Sequence, residues 1–342
     1  MSHLGRAGRV TLQHIHLPSD AFAHTYPPYA IAAALQSRLQ RALLDSKSNS
    51  SSPSPPPTIL SFTPQPTYTL GRRQTVGPDL EVDGLCRPLI ITHPMSKPET
   101  KHSMRPIVLR SLRGGQMTYH GPGQIVVWPI LDLQPASGGY KSMGVRQYAD
   151  LLQDVTADLV RNSAALGGRK LEIVKTCDPG VWVSETEQQQ PRKIAAMGVH
   201  LRRHVTGLGV ALNLTTPGTA ANVGENEVNN ESNNPWIRFV PCGLAGKGVT
   251  SVFLEAQDPN NTISLDSNPA SELARLPDPG KGFAQTWAGL FASRLGLDYN
   301  PEVVNDGIPS NMKGLTAEAI SIEAEMKVPL DDDGASGAAV NP

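Results

Sequence analysis

The chain has little cysteine and no long apolar run. Its 342 residues include three cysteines, Cys86, Cys177 and Cys242, and their spacing fits neither a disulfide framework nor a paired-cysteine zinc site. The sequence therefore indicates a reducing compartment. No apolar stretch approaches the roughly 20 residues that a membrane-spanning helix needs, so no membrane span is predicted.

The chain also lacks an excess of charge of either sign. Thirty Lys and Arg stand against 31 Asp and Glu, which gives a formal net charge of −1. Non-specific nucleic-acid binding depends on a positive field, so no nucleic-acid partner is predicted. His120 has no second histidine or carboxylate at metal-ligand spacing within its motif, and neither a metal nor a cofactor is predicted.

The apolar pattern predicts an α/β (α+β) fold in which helices flank a mixed β-sheet. The nearly continuous apolar run 125–133 is typical of a strand covered on both faces. Residues 29–45, 145–160 and 282–297 have helical periodicity. Short strands are predicted over 10–17, 58–71, 105–112, 171–174, 180–183, 193–201 and 206–214. Strict strand–helix alternation is absent, which disfavours a doubly wound dinucleotide fold.

One domain is predicted over residues 10–300. Residues 1–9 are interpreted as a candidate targeting segment, and 301–342 as an extension with a disordered tail. Polar, proline-bearing or glycine-bearing insertions are expected near residues 46–57, 93–104, 184–192 and 215–235.

The stretch LRGGQMTYHGPGQ at 112–124 concentrates glycines and polar side chains between two predicted strands. Its glycine spacing does not fit a phosphate-binding P-loop, and no helix follows it as in a dinucleotide-binding turn. The residues alone leave two interpretations open: a structural turn, or a hairpin that lets a ligand approach the backbone.

Cys242 lies in FVPCGLAGKG, where a turn and nearby positive charge favour a reactive thiolate; a buried cysteine in a tight turn is the alternative. Cys86 and Cys177 are expected to be small buried side chains. A proton partner for the thiolate could be His120, His200, His204 or Lys193. Lys193 begins the apolar strand KIAAMGVHL, so its amine either enters a dry site or remains solvated.

Three separated segments together resemble one family, the lipoyl(octanoyl) transferases. They are RGGQMTYHGPGQ (113–124), KIAAMG (193–198) with GLGVALN (207–213), and PCG (241–243). PTYTLG (66–71) and DPGVWV (178–183) support the likeness in the expected order. The resemblance implies a fold like the catalytic domain of biotin and lipoate protein ligases. It also implies an acyltransferase of the eukaryotic, fungal-like mitochondrial form.

The resemblance further implies the site. Cys242 corresponds to the nucleophile that carries the acyl group as a thioester, and Lys193 to the residue that lowers its pKa. The acyl-binding walls are expected to comprise Arg113, Gly114, Gly115, Gln116, Met117, Thr118, Tyr119, His120, Ala196, Met197, Gly198, Gly209, Val210 and Ala211. Small and apolar residues suit a saturated chain, since each buried methylene is worth roughly 0.8 kcal/mol.

The implied reaction transfers an octanoyl or lipoyl group from acyl carrier protein to a lysine of a lipoyl domain. The implied acceptors are the lipoyl domains of 2-oxoacid dehydrogenase E2 subunits and the glycine cleavage H protein, in the mitochondrion. Two alternatives remain: an ATP-dependent lipoate or biotin ligase of the same fold, which would not need Cys242, and a non-catalytic carrier-binding scaffold.

Overall fold

A computed structural model describes residues 10–49, 53–75, 81–91, 102–135, 139–166, 171–174, 176–184, 190–219, 230–239, 248–256, 275–310, 312 and 314–328. Its strands in chain order are β1 Gln13–Leu17, β2 Thr58–Phe62, β3 Thr67–Leu70, β4 Leu89–Ile91, β5 His102–Met104, β6 Ile107–Arg110, β7 Met117–His120, β8 Gln124–Ile130, β9 Glu172–Val174, β10 Val181–Ser184, β11 Arg192–Arg202, β12 Val205–Asn213, β13 Gly248–Val249 and β14 Asn305–Asp306.

The helices are α1 Tyr29–Ser48, α2 Val82–Leu85, α3 Val145–Arg161, α4 Val252–Ala256, α5 Pro279–Leu295 and α6 Leu315–Met326, with short 3-10 helices at Ala164–Leu166 and Pro235–Arg238. Helix α5 shows why its ends fall where they do. Pro279 fits the first turn, where its missing N–H costs nothing, and Gly296 adopts φ +69° just after the last turn.

The described strands form one large mixed sheet and two small ones. The large sheet has the order β14-β1-β2-β8-β12-β11-β10-β9, with β13 pairing alongside β11. Strands β1 and β2 run parallel, whereas β2, β8, β12, β11 and β10 alternate in direction. The small sheets are β6-β3-β7 and β4-β5. The predicted mixed sheet flanked by helices is confirmed.

Helices cover both faces of the large sheet. The core face, which includes Val127, Val210 and Leu212, packs against α3 and α5, and Trp287 of α5 belongs to the same apolar cluster. The opposite face, which we call the cavity face, packs against α1 and includes Ala211. Strand β8 serves both faces, and all seven of its residues are buried, as its apolar run predicts.

The structure differs from the predicted elements in several places, and one is strand β5, which lies within the predicted insertion 93–104. The run 58–71 is split between β2 and β3, which belong to different sheets. Helix α1 continues to Ser48, into the range predicted as an insertion. The described chain beyond residue 300 is also part of the fold: β14 pairs with β1, and Arg38 of α1 binds Glu318 of α6 over 2.6 Å. The fold therefore extends past the predicted boundary at residue 300.

Parts of the predicted insertions and tails lie outside the described residues. These parts are 1–9, 50–52, 93–101, 185–189, 220–229, 311, 313 and 329–342.

Candidate active site

A cavity opens on the cavity face between β7, β8, β11 and β12. The space between its walls, together with open solvent at its mouth, is about 430 Å³. Its lining combines predicted site residues from both glycine-bearing motifs with a few residues that were not predicted. The full lining is Tyr29, Arg113, Thr118, His120, Val126, Trp128, Lys193, Ala196, Met197, Gly198, Leu208, Gly209, Val210 and Ala211. Segments that are separated by some seventy positions in the sequence therefore meet at one cavity.

Small residues on β11 and β12 make the floor of the cavity. Ala196 pairs with Ala211, and Gly198 pairs with Gly209. A Cβ on Gly209 would come within 2.3 Å of the main-chain oxygen of Val127, which cannot move out of the way. A Cβ on Gly198 would lie 2.9 Å from Cδ of Arg113. Both positions thus require glycine because Val127 and Arg113 approach them closely. The absence of side chains there also leaves the cavity open.

Lys193 faces the cavity because β11 contains an irregularity next to it. Val181 pairs with Ala195, whereas Trp182 pairs with Lys193, so Ile194 is an extra residue in the ladder. Ile194 and Ala195 both belong to the apolar cluster of the core face. Lys193 is only 8% exposed, and its Nζ lies 4.6 Å from the centre of the Trp182 ring.

The loop before β7 is held by the side chain of Arg113. Its guanidinium donates to the carbonyl oxygen of Gln116 over 2.7 Å and to Thr69 Oγ1 over 2.9 Å. Gly115 has φ +84°, a conformation that favours glycine. Gly71 packs so closely that a Cβ would meet the Gly115 oxygen at 2.3 Å. Arg113 therefore shapes the loop, and Gly114, Gly115 and Gln116 are not among the described lining residues.

The predicted wall 113–120 is divided by the alternation of β7. Thr118 and His120 face the cavity, while Met117 and Tyr119 belong to a separate apolar cluster. The Tyr119 ring lies 5.5 Å from that of Trp236 in an edge-to-face contact. Successive residues of a strand point to opposite sides, so one strand cannot direct every side chain of a continuous stretch into the same cavity.

Among the described residues that line the cavity, His120 is the one histidine. Its Nδ1 lies 2.8 Å from Oε1 of Gln124, and its ring stacks on Tyr29 with centres 5.8 Å apart. Burial, followed by the nearby charge of Arg113, lowers the pKa of His120 to about 4. His120 is therefore neutral near pH 7. His200 is half-buried, and His204 is exposed at the β11–β12 turn with φ +69°.

An ion pair supports the strand end beside Lys193. Arg192 donates to both carboxylate oxygens of Glu255, over 3.0 and 2.9 Å, and Thr250 Oγ1 donates to the same carboxylate over 2.6 Å. Both charged side chains are at most 5% exposed. A buried pair with these extra hydrogen bonds fixes β13 and α4 against the start of β11.

Cys242, the predicted nucleophile, lies outside the described residues. The other two cysteines were expected to be buried; Cys86 is half-buried, and for Cys177 the expectation is wrong because the residue is exposed. Its position just before the turn that leads into β10 explains the exposure. Burial raises the pKa of the Cys86 thiol.

Sequence reasoning missed Tyr29, Val126, Trp128 and Leu208 as lining residues. Tyr29 begins α1, and burial raises the pKa of its phenol to about 12. Trp128 and Val126 had a readable signal, since β8 alternates and its even positions share one face. Among the described residues, no group of three or more His, Cys, Asp or Glu side chains is placed to hold a metal ion. None of the described helices combines the length and hydropathy needed to cross a membrane.

The family model for the lipoyl protein ligase A/B catalytic domain matches residues 28–263. The chain belongs to this family, as predicted.

Similar curated proteins within the family are octanoyltransferases. A probable octanoyltransferase of Schizosaccharomyces pombe is 34% identical over 225 residues, which cover 65% of this chain and 79% of that protein. A mitochondrial octanoyltransferase of Saccharomyces cerevisiae is 31% identical, covering 62% of this chain and 57% of that protein. A mitochondrial octanoyl-[acyl-carrier-protein]:protein N-octanoyltransferase of Danio rerio is 31% identical, covering 67% of this chain and 79% of that protein.

Proposed function

We propose that this protein is an octanoyltransferase that moves an octanoyl group from acyl carrier protein to a lysine of a lipoyl domain, through a thioester on Cys242. The observation that carries the proposal is the cavity, where Lys193 and His120 meet a floor of glycine and alanine. Similarity to proteins named octanoyltransferases supports the same substrate.

The cavity suits a saturated acyl chain. Ala196, Gly198, Gly209 and Ala211 give apolar surface without bulk, and Trp128 closes one side. Burying each methylene there stabilises the bound chain by roughly 0.8 kcal/mol. An octanoyl group has no polar atom beyond its carbonyl, so the polar side chains at the cavity are available for the reacting end.

In the first half-reaction the Lys193 amine takes the proton of the Cys242 thiol, and the thiolate sulfur attacks the carbonyl carbon of the donor thioester. The new carbon–sulfur bond forms as the bond to the carrier's sulfur breaks. The carrier's sulfur leaves as a thiolate and takes the proton back from Lys193. Support for this pairing comes from β13, which follows the Cys242 segment and pairs with β11 at Arg192 and Lys193.

In the second half-reaction the neutral amine of the acceptor lysine attacks the enzyme thioester. A carbon–nitrogen bond forms, the bond to the Cys242 sulfur breaks, and the proton lost by nitrogen passes through Lys193 to the sulfur. The proposed acceptors are lipoyl domains of 2-oxoacid dehydrogenase E2 subunits and the glycine cleavage H protein. The proposed compartment is the mitochondrion, supported by the names of similar proteins.

Intact-mass measurement after incubation with octanoyl-loaded carrier tests the proposal. We expect a gain of one octanoyl group on the Cys242 peptide, and no gain in Cys242→Ser. Cys177→Ser is the matched control, because Cys177 is an exposed thiol outside the cavity lining. Full turnover by Cys242→Ser, or acylation of Cys177 instead, would refute the covalent mechanism.

The same preparation separates the two alternatives. An ATP-dependent ligase would catalyse exchange between ATP and pyrophosphate in the presence of octanoate, and we expect none. A carrier-binding scaffold would bind loaded carrier without forming the acyl-enzyme.

A further inference from the structure

A buried row of side-chain amides connects His120 with the strand that carries Lys193. Gln124 Nε2 donates to Asn213 Oδ1 over 2.8 Å, and Asn213 Nδ2 donates to the carbonyl oxygen of Thr250 over 2.9 Å. Gln124 and Asn213 are direct partners on β8 and β12, which is why their amides meet. The Thr250 N–H donates to the carbonyl oxygen of Lys193 over 3.0 Å. The row therefore runs from the imidazole to the main chain of the predicted base.

The carbonyl oxygen of Thr250, at one end of the row, determines the direction of every hydrogen bond between the side chains. A backbone carbonyl can only accept, so the atom of Asn213 next to Thr250 must be the amide nitrogen. Asn213 then turns its oxygen toward Gln124, and Gln124 must present its nitrogen there. The Gln124 oxygen is left facing Nδ1 of His120, and that nitrogen must carry the hydrogen. Burial of both amides, at 1% and 3% exposure, makes a reversed and unsatisfied arrangement costly.

The consequence is a single tautomer of the neutral imidazole. With the hydrogen on Nδ1, the Nε2 nitrogen holds a lone pair and can only accept a hydrogen bond. Within the described part of the chain, Gln124 is the hydrogen-bond partner of the ring, through Nδ1. His120 lines the cavity together with Lys193, and because Gln124 engages Nδ1, Nε2 is the ring nitrogen left for a ligand in that cavity.

We propose that His120 Nε2 accepts an N–H of the acceptor lysine and so orients its amine toward the enzyme thioester, with Gln124 and Asn213 as positioning residues that fix the tautomer. This inference rests on the proposed function. Because the amine donates this hydrogen bond through an N–H, its single lone pair stays free to attack the carbonyl carbon. The C–N bond forms as the bond to the Cys242 sulfur breaks, and one proton of the amine passes through Lys193 to that sulfur.

Orientation rather than proton removal is the role that the environment of His120 allows. The pKa of about 4 makes the ring a weak base at neutral pH, because burial and the charge of Arg113 oppose a positive imidazole. A weak base can still accept a hydrogen bond. The first half-reaction involves a thiol and a thioester but no attacking amine, so it does not use this contact.

The first measurement is nitrogen NMR of the full chain labelled in histidine, with His120 assigned by its loss in His120→Asn. We expect Nδ1 to be protonated and Nε2 unprotonated from pH 6 to 8, and a mixture of tautomers in Gln124→Met. A wild-type His120 with its hydrogen on Nε2 would overturn the inference, whether or not any variant folds.

The second measurement follows the two half-reactions separately in single turnovers. In Gln124→Met and Asn213→Leu we expect transfer from the isolated acyl-enzyme to a lipoyl domain to slow roughly 10- to 100-fold, as for a misplaced reactant. Acylation of Cys242 should keep the rate of the control Thr63→Val, which removes a 2.8 Å hydrogen bond to the main chain of Gln124 and leaves the amide row intact.

The outcomes distinguish the inference from the proposed function. If both half-reactions slow equally in Gln124→Met, or neither slows, the orienting role is wrong while the acyl-enzyme mechanism stands. If wild-type Cys242 is never acylated, the proposed function itself fails.

Discussion

The two faces of the central sheet differ in what the same strands place on them. On the core face, Val210 and Leu212 of β12 pack under α3 and α5 with Trp287. On the cavity face, Gly209 and Ala211 alternate with them along the same strand and leave open space. Between residues 209 and 212 the strand thus stabilises the fold with its even positions and opens the site with its odd ones.

The comparison shows how stability and function are divided. A fully buried Val or Leu side chain stabilises a fold by roughly 1.5–3 kcal/mol, which a glycine at the same depth does not supply. The cavity face gives up that burial where a ligand must enter. Changes on the core face should therefore alter stability, and changes on the cavity face should alter chemistry or selectivity. Four predictions test that division, starting with the largest effect; the third concerns a buried cavity residue, His120, whose protonation also lowers stability.

Lys193→Met should remove the chemistry while leaving the fold. Met keeps the apolar stem beside Trp182, but no amine remains to move a proton, so acylation of Cys242 should slow roughly 10²- to 10⁴-fold. Lys193→Arg is the companion variant, because it keeps the positive charge but cannot act as a base. Stopped-flow acylation rates measure both. Rates for Lys193→Met within threefold of wild type would remove Lys193 from the mechanism.

Trp287→Ala should have the opposite effect. Trp287 is 1% exposed, packs on Phe291 with ring centres 5.0 Å apart, and donates to Thr156 Oγ1 over 2.9 Å. Its loss should lower the free energy of unfolding by about 3–5 kcal/mol, measured by urea denaturation. The folded fraction at low temperature should still acylate at the wild-type rate. A large drop in that rate would mean that the two faces are not independent.

Acid should weaken the cavity face through His120. The pKa of His120 is about 4 in the folded protein and near 6.5 when unfolded, so between these values only the unfolded chain binds the proton. Stability is therefore present above pH 6.5 and is lost as pH falls toward 4, by about 3 kcal/mol from this group.

Denaturant titrations across that pH range measure the slope. The amide of His120→Asn can replace the Nδ1 donor but does not titrate. The dependence of unfolding free energy on pH should therefore be less steep in this variant, by the contribution of one proton. An unchanged slope would show that His120 is protonated in the folded state.

Ala211→Leu should change which acyl chain is accepted. A larger side chain on the floor of the cavity takes space from the distal carbons, so octanoyl transfer should fall relative to butyryl transfer by roughly 10- to 200-fold. The ratio of single-turnover rates with the two loaded carriers measures it. Leu212→Val, one position away on the core face, should leave the ratio unchanged. A shift in both variants would place the acyl chain elsewhere.

Much of this architecture was predictable from local pattern. The apolar run at 125–133 indicated a buried central strand, and β8 is one. The helical periodicity of residues 145–160 and 282–297 predicted α3 and α5. An amphipathic stripe depends only on residues three or four positions apart, so it can be read from local sequence. Helix α6 was missed, since its sequence LTAEAISIEAEM follows a polar segment and is held by contacts with α1.

The site was predictable in part. The small residues of KIAAMG and GLGVAL were expected to form a wall, and Ala196, Gly198, Gly209 and Ala211 do line the cavity. The prediction that all of residues 113–120 form one wall was too simple, because the alternation of β7 points Tyr119 away from the cavity. The amide row was hidden, since Gln124 and Asn213 are 89 positions apart and meet only through strand register.

The sequence by itself determined the family and the small-residue floor, because motifs and side-chain volume are properties of the chain. The tertiary structure alone decided which way Lys193 points. Strict alternation would place Lys193 on the same face as Ala195, which belongs to the core cluster, but the extra residue at Ile194 reverses that order. The irregularity depends on pairing with β10, where Gly180 takes φ +135° and a Cβ would lie 2.6 Å from the Ala195 oxygen. A bulge is a property of two strands together, so no single stretch of sequence shows it.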